Sequence, residues 1–211
     1  MLVATRIVPL FLLLGVFACS TPTRLESSRP SAAANGKSYR RPLICAVARR
    51  PDVRGQVEAA FKAELNARGI DAVPSADYLP ETRQADRATF EKVVQNSKSD
   101  AILITRLAKV ERRNDVTGAA PPAPAPPKPS EPGYFGYYAW AWGGVYDPPQ
   151  VYAVDAVLLE TLLIDPNSSE VIWTGATRVL DPTKIKEDAR DLARVVVAEL
   201  IQKGLVPGVA R

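Results

Sequence analysis

The chain has 211 residues, 27 Lys and Arg against 23 Asp and Glu, a formal net charge of +4, two cysteines and no histidine. Acidic and basic residues are interspersed, so the positive balance is no nucleic-acid footprint. Without imidazole or a cysteine cluster, most acid–base chemistry near neutral pH and most zinc or iron sites are excluded, and no cofactor is expected.

The amino terminus has the three zones of an export signal: Arg6 in a short basic start, an apolar run over residues 7–17, and small Ala18 before Cys19. The run is too short to span a bilayer. Val16-Phe17-Ala18-Cys19 resembles the lipobox of bacterial lipoproteins, in which the cysteine receives diacylglycerol before cleavage in front of it. The resemblance implies a signal peptide over residues 1–18, lipidation at Cys19 and, with Ser20 rather than aspartate next, an outer-membrane address facing the periplasm. With Cys19 acylated, Cys45 has no disulfide partner and reads as a small buried hydrophobe.

From Cys19 to Arg41 the chain is rich in Ser, Thr, Ala, Pro and Arg, and is expected to be a disordered tether reaching roughly 25 Å. A single α/β domain is expected over residues 42–206. Residues 42–48 are apolar throughout, which suits a central strand covered on both faces. A helix is predicted from Asp52, with Val53, Val57, Ala60, Phe61 and Leu65 as its apolar stripe and Gly69 as its stop. A short strand over 70–74, a helix over about 82–97 and a strand entered at Asp100 come next. Prolines break the pattern over residues 117–133.

Residues 151–165 read as a long strand, Asp165-Pro166-Asn167-Ser168-Ser169 as a turn, and residues 171–176 as the returning arm of a hairpin. A last helix is predicted from Asp181-Pro182, with Ile185, Ala189, Leu192, Val196 and Leu200 buried and Gly204 ending it. The order predicts a mixed sheet of about five strands with helices packed against it, ending in a β-hairpin and a C-terminal helix.

Beside the lipobox, the strand entry Ser99-Asp100-Ala101-Ile102-Leu103-Ile104 and the hairpin Leu163-Ile164-Asp165-Pro166-Asn167-Ser168-Ser169-Glu170-Val171-Ile172-Trp173 resemble envelope lipoproteins. These are relatives of the periplasmic domain of the curli-secretion lipoprotein, of penicillin-binding-protein activators and of the amino-terminal domain of the Tol system's propeller protein. The resemblance implies a noncatalytic α/β domain used for assembly or for contacting partners. No counterpart of the curli protein's membrane-inserting hairpins is evident.

Within an insertion over residues 117–150, residues 133–146 gather two of the three tryptophans and four of the seven tyrosines. Tyr134, Tyr137, Tyr138, Trp140, Trp142 and Tyr146 are the candidate partner-binding residues, because rings with polar tips suit wet interfaces. If extended, Tyr138, Trp140 and Trp142 share one face. Cover for the sheet, docking to a protein, contact with lipid and stacking on glycan strands all fit such a cluster.

Paired carboxylates are the main enzymatic alternative, and they fail on spacing: Asp155 and Asp165 lie roughly 33 Å apart along a strand, with Glu160 on the opposite face. Ser168 and Ser169 read as turn residues, and Arg49, Arg50 and Arg54 as solvated charge at the start of the first helix, with reception of an anion as the alternative. The expectation is a noncatalytic envelope module with no metal site. Its partners are the membrane, through Cys19, and an envelope protein; peptidoglycan, as for a cell-wall remodelling accessory, and further copies in a secretion assembly are the alternatives.

Overall fold

A computed structural model describes residues 23–80, 83–111, 127–129, 131–144, 156–180 and 184–208. The signal, Cys19, Tyr146, Asp155 and Asp181-Pro182 lie outside the described residues, as does much of the proline-rich stretch.

In chain order the elements are β1 (Thr23–Pro30), β2 (Pro42–Val47), α1 (Pro51–Asn66), β3 (Val73–Pro74), α2 (Arg87–Ser97), β4 (Ala101–Glu111), α3 (Gly133–Gly143), β5 (Ala156–Asp165), β6 (Glu170–Leu180) and α4 (Ile185–Gln202). They build one mixed six-stranded sheet in the order β1-β6-β5-β4-β2-β3. β2 is parallel to both of its neighbours, and its six residues are all buried, as an unbroken apolar run between two covered faces requires. From β4 onward the pairing is antiparallel, including the β5–β6 hairpin. Asp165 closes that hairpin by accepting the Asn167 backbone N–H at 2.8 Å, and Ser169 takes the left-handed conformation at φ 57°.

Helices cover both faces. On one, Phe61 and Leu65 of α1 and Leu192, Val196 and Leu200 of α4 pack against Ile44, Leu103, Leu163 and Trp173. On the other, Phe90 and Val94 of α2 and Phe135 and Tyr138 of α3 cover Leu43, Cys45, Ile102, Ile104 and Ile164.

Three expectations are corrected, and one segment gains an element. The expected tether contains β1, which pairs antiparallel with β6 from Thr23↔Val179 to Pro30↔Trp173, so the folded unit starts at least nineteen residues earlier than expected. An edge strand needs only a few inward groups: Leu25 packs on the core, and Ser28 Oγ accepts the Trp173 indole N–H at 2.9 Å and donates to Glu199 at 2.5 Å. Backbone pairing does the rest, and hydropathy does not register it.

The aromatic segment, to which the sequence assigned no element, is a helix, because Phe135, Tyr138, Ala141 and Trp142 fall on one side at helical spacing and dock on the sheet. α2 starts at Arg87, five residues later than expected, where Asp86 accepts the Thr89 backbone N–H at 2.9 Å. The last helix starts at Ile185, because Asp188 reaches back to accept the Lys184 backbone N–H at 3.2 Å and caps it from within.

Candidate functional site

α3 lies on the α2 side of the sheet and is fastened along its length. Its buried side begins with Tyr138, whose ring stacks on Phe90 of α2 with centroids 3.8 Å apart and planes 12° from parallel. The Tyr138 hydroxyl accepts the Ala85 backbone N–H at 3.1 Å. Burial pushes this phenol up to about 12, so it stays protonated at neutral pH. Phe135 sits 6.2 Å from Phe90, and the Arg87 guanidinium lies 4.7 Å over the Phe135 ring while pairing with Glu131 at 2.5 Å.

At the other end of α3, Trp140 carries the Arg106 guanidinium 3.7 Å over its ring. Arg106 of β4 also donates from Nε and Nη2 to one Glu160 oxygen of β5, at 3.0 and 2.8 Å. The pair is only 15% and 19% exposed, so indole and carboxylate together hold the cation in place of water. Two glycines permit this fit. A Cβ on Gly136 would strike the Glu131 carbonyl, and one on Gly144 would strike the Arg106 guanidinium.

The sequence-predicted ring residues therefore divide. Tyr138 is core, whereas Tyr134, Tyr137, Trp140 and Trp142 are half-buried on the flanks of α3. Burial raises the Tyr134 and Tyr137 phenols, which also remain neutral donors. The Trp142 indole nitrogen is buried, and its ring meets Tyr138 edge-on with centroids 6.3 Å apart. Among the described residues the only exposed large hydrophobic side chain is Tyr78. The α3 face is thus a fixed aromatic ridge, not an open greasy patch.

The remaining candidates are occupied elsewhere. Burial works to raise the Asp165 carboxyl, but Lys37 at 2.8 Å and the Asn167 and Ser168 backbone N–H groups outweigh it and hold the carboxyl below its ordinary value. Tyr39 also donates to Asp165, at 3.2 Å, and its phenol is pushed up by burial and then by that carboxylate. Cys45 is buried, and burial raises its thiol first, Glu58 second.

The arginine cluster does not converge. Arg50 pairs with Asp52 at the surface, whereas Arg54 is buried and donates to Glu58 at 3.1 Å and to Ser75 at 3.0 Å. Glu58 in turn accepts the backbone N–H of Ala46 at 3.1 Å and of Ala76 at 2.8 Å, so it closes the outer side of β2 where β3 has already ended. Among the described residues, no group of three or more His, Cys, Asp or Glu side chains is placed to hold a metal ion. Nor is any helix of those residues long and apolar enough to cross a membrane.

Sequence reading missed Arg87, Arg106 and Glu160 as neighbours of the rings. Each comes from another element, and Arg106 meets Trp140 only because β4 and α3 are packed together. The one local signal was an arginine in mid-strand at 106, where alternation alone gives no reason for a half-buried cation.

No protein-family model matches the chain, and no curated protein matches it. Among solved structures, a single-substitution variant of the PelC dodecamer from Paraburkholderia phytofirmans is similar at 14% identity and a TM-score of 0.41, covering 84% of this chain and 97% of that one. The PelC dodecamer from the same organism in another crystal form is similar at 13% identity and a TM-score of 0.40, covering 87% and 96%.

Proposed function

We propose that this chain is a noncatalytic outer-membrane lipoprotein, acylated at Cys19, whose periplasm-facing α/β domain docks an envelope protein through α3. The observation that carries the reading is the aromatic ridge: Tyr134, Tyr137, Trp140 and Trp142 half-buried on a helix fixed from beneath by Phe135, Tyr138 and Ala141. Rings already held in place lose little freedom on binding, and tyrosine and tryptophan are favoured interface anchors. The noncatalytic part is supported by the lack of histidine and by the engagement of Asp165, Glu160 and Cys45 in structural roles.

A photocrosslinking residue in place of Tyr137, introduced in living cells, tests the docking. One dominant envelope protein should be captured, and the adduct should disappear when Trp140→Ala is added. Capture of lipid alone, or of nothing, would return the ridge to the role of sheet cover. Sedimentation with purified peptidoglycan that depends on the same rings would transfer the reading to a cell-wall accessory.

A further inference from the structure

We infer that the α3 ridge takes a proline-rich segment of the docked protein, held in the polyproline II conformation; this rests on the docking proposed above. Three observations carry it. The first is what the ridge offers. Among the described residues nothing hydrogen-bonds the Tyr134 hydroxyl, the Tyr137 hydroxyl or the Trp140 indole N–H, although all three side chains are half-buried. Burial keeps both phenols protonated, so each retains a proton to donate. Three donors therefore stand beside three rings on one helix.

The second observation is what the ridge lacks. The carboxylates beside it are taken: Glu131 and Glu91 pair with Arg87 at 2.5 and 3.4 Å, Glu160 pairs with Arg106 at 2.8 Å, and Glu170 faces Lys37 at 3.9 Å. A ligand that must also donate, as sugar hydroxyls and free backbone N–H groups must, finds few acceptors here. Proline presents a carbonyl acceptor, an apolar ring and no N–H. Successive prolines hold an extended backbone whose carbonyls are unpaired, so such a segment meets donors and rings together and brings no donor that would be stranded. It is also ordered before it binds. A partner helix fits less well: its backbone groups are already bonded to one another, and it needs an apolar groove, whereas the only exposed large hydrophobic side chain among the described residues is Tyr78.

The third observation is a proline already seated on this helix. Residues 127–129 read Pro-Lys-Pro, with both prolines half-buried and Lys128 exposed between them. Gly136 has no side chain, and a Cβ there would stand 3.0 Å from that of Pro129. α3 thus packs a prolyl ring against its backbone one turn from Trp140, which shows the kind of contact its aromatic flank makes.

The test uses the full-length protein purified in detergent from cell membranes, with fluorescein-labelled decaproline as the probe and a glycine–serine peptide of equal length as the control. Fluorescence anisotropy should show decaproline binding about tenfold more tightly than the control. Tyr137→Phe and Trp140→Phe each keep a ring and delete a donor, so each should weaken decaproline binding about threefold, the size of one lost hydrogen bond. No preference for decaproline overturns the proline assignment, as does binding indifferent to both substitutions. Binding that appears only after Pro127→Ala and Pro129→Ala are combined would show the ridge filled by its own chain, and overturns the partner's part. The crosslink at Tyr137 in cells separates this inference from the docking itself. Capture of an envelope protein at a proline-rich stretch supports both; capture at a stretch without proline overturns the segment while docking stands, and capture of no protein ends both.

Discussion

The two faces of the sheet are closed by different means. On the α1–α4 side, two long helices interlock aliphatic side chains with Trp173 and Phe61, both 0% exposed. On the α2–α3 side the cover is largely aromatic, and four of its rings remain half-buried, Trp140 among them under the Arg106 guanidinium. The interlocked side chains beneath α1 and α4 are closed off from solvent, so their contribution is to stability. A face sealed by rings with exposed flanks is both cover and surface, so its residues can hold the fold and meet a partner at once.

The comparison breaks first if the aliphatic side does not dominate stability. Trp173→Ala should cost about 3–5 kcal/mol, since it empties a fully enclosed volume beneath α4 and abandons the Ser28 hydroxyl. Denaturant unfolding reads this directly, and a loss under ~1 kcal/mol would mean that the α1–α4 face is not the seat of stability.

A smaller, local effect is expected on the other side. Trp140→Ala removes the ring beneath Arg106 but leaves Arg106 paired with Glu160, so the loss should be about 1 kcal/mol. Hydrogen exchange should quicken in α3 several-fold while α1 and α4 keep their protection. Faster exchange across the whole domain would show that the two faces open as one unit, and the distinction between them would fall.

Legibility in the sequence follows the same division. The unbroken apolar run at 42–47, the stripe of α4 and the turn chemistry around Asp165 are local patterns, and the structure places a central strand, a helix and a hairpin there. β1 was hidden because its residues are polar and its partner, β6, lies about 150 residues downstream. α3 was hidden for a different reason. Gly133-Tyr134-Phe135-Gly136-Tyr137-Tyr138 has poor helix propensity, and the helix exists because docking Phe135 and Tyr138 on Phe90 outweighs it. The ring cluster itself was plain in composition, but its division into buried Tyr138 and half-buried Tyr137 and Trp140 needed the sheet beneath it.

The smallest expected effect lies at the hairpin end, where the faces meet. The Asp165 carboxyl is held below its ordinary value of 3.8 in the folded chain, so its contribution is present above that value and is lost as pH falls through the lower folded one. Stability should therefore decline on acidification below about pH 4, and Lys37→Met should flatten that decline by removing the cation 2.8 Å away. Tyr39 and the Asn167 backbone N–H still donate to Asp165 in that variant, so some acid sensitivity should remain. Thermal unfolding scanned between pH 3 and pH 6 measures both arms. An unchanged profile in Lys37→Met would place the depression in the turn's own N–H groups and the Tyr39 hydroxyl rather than in the lysine.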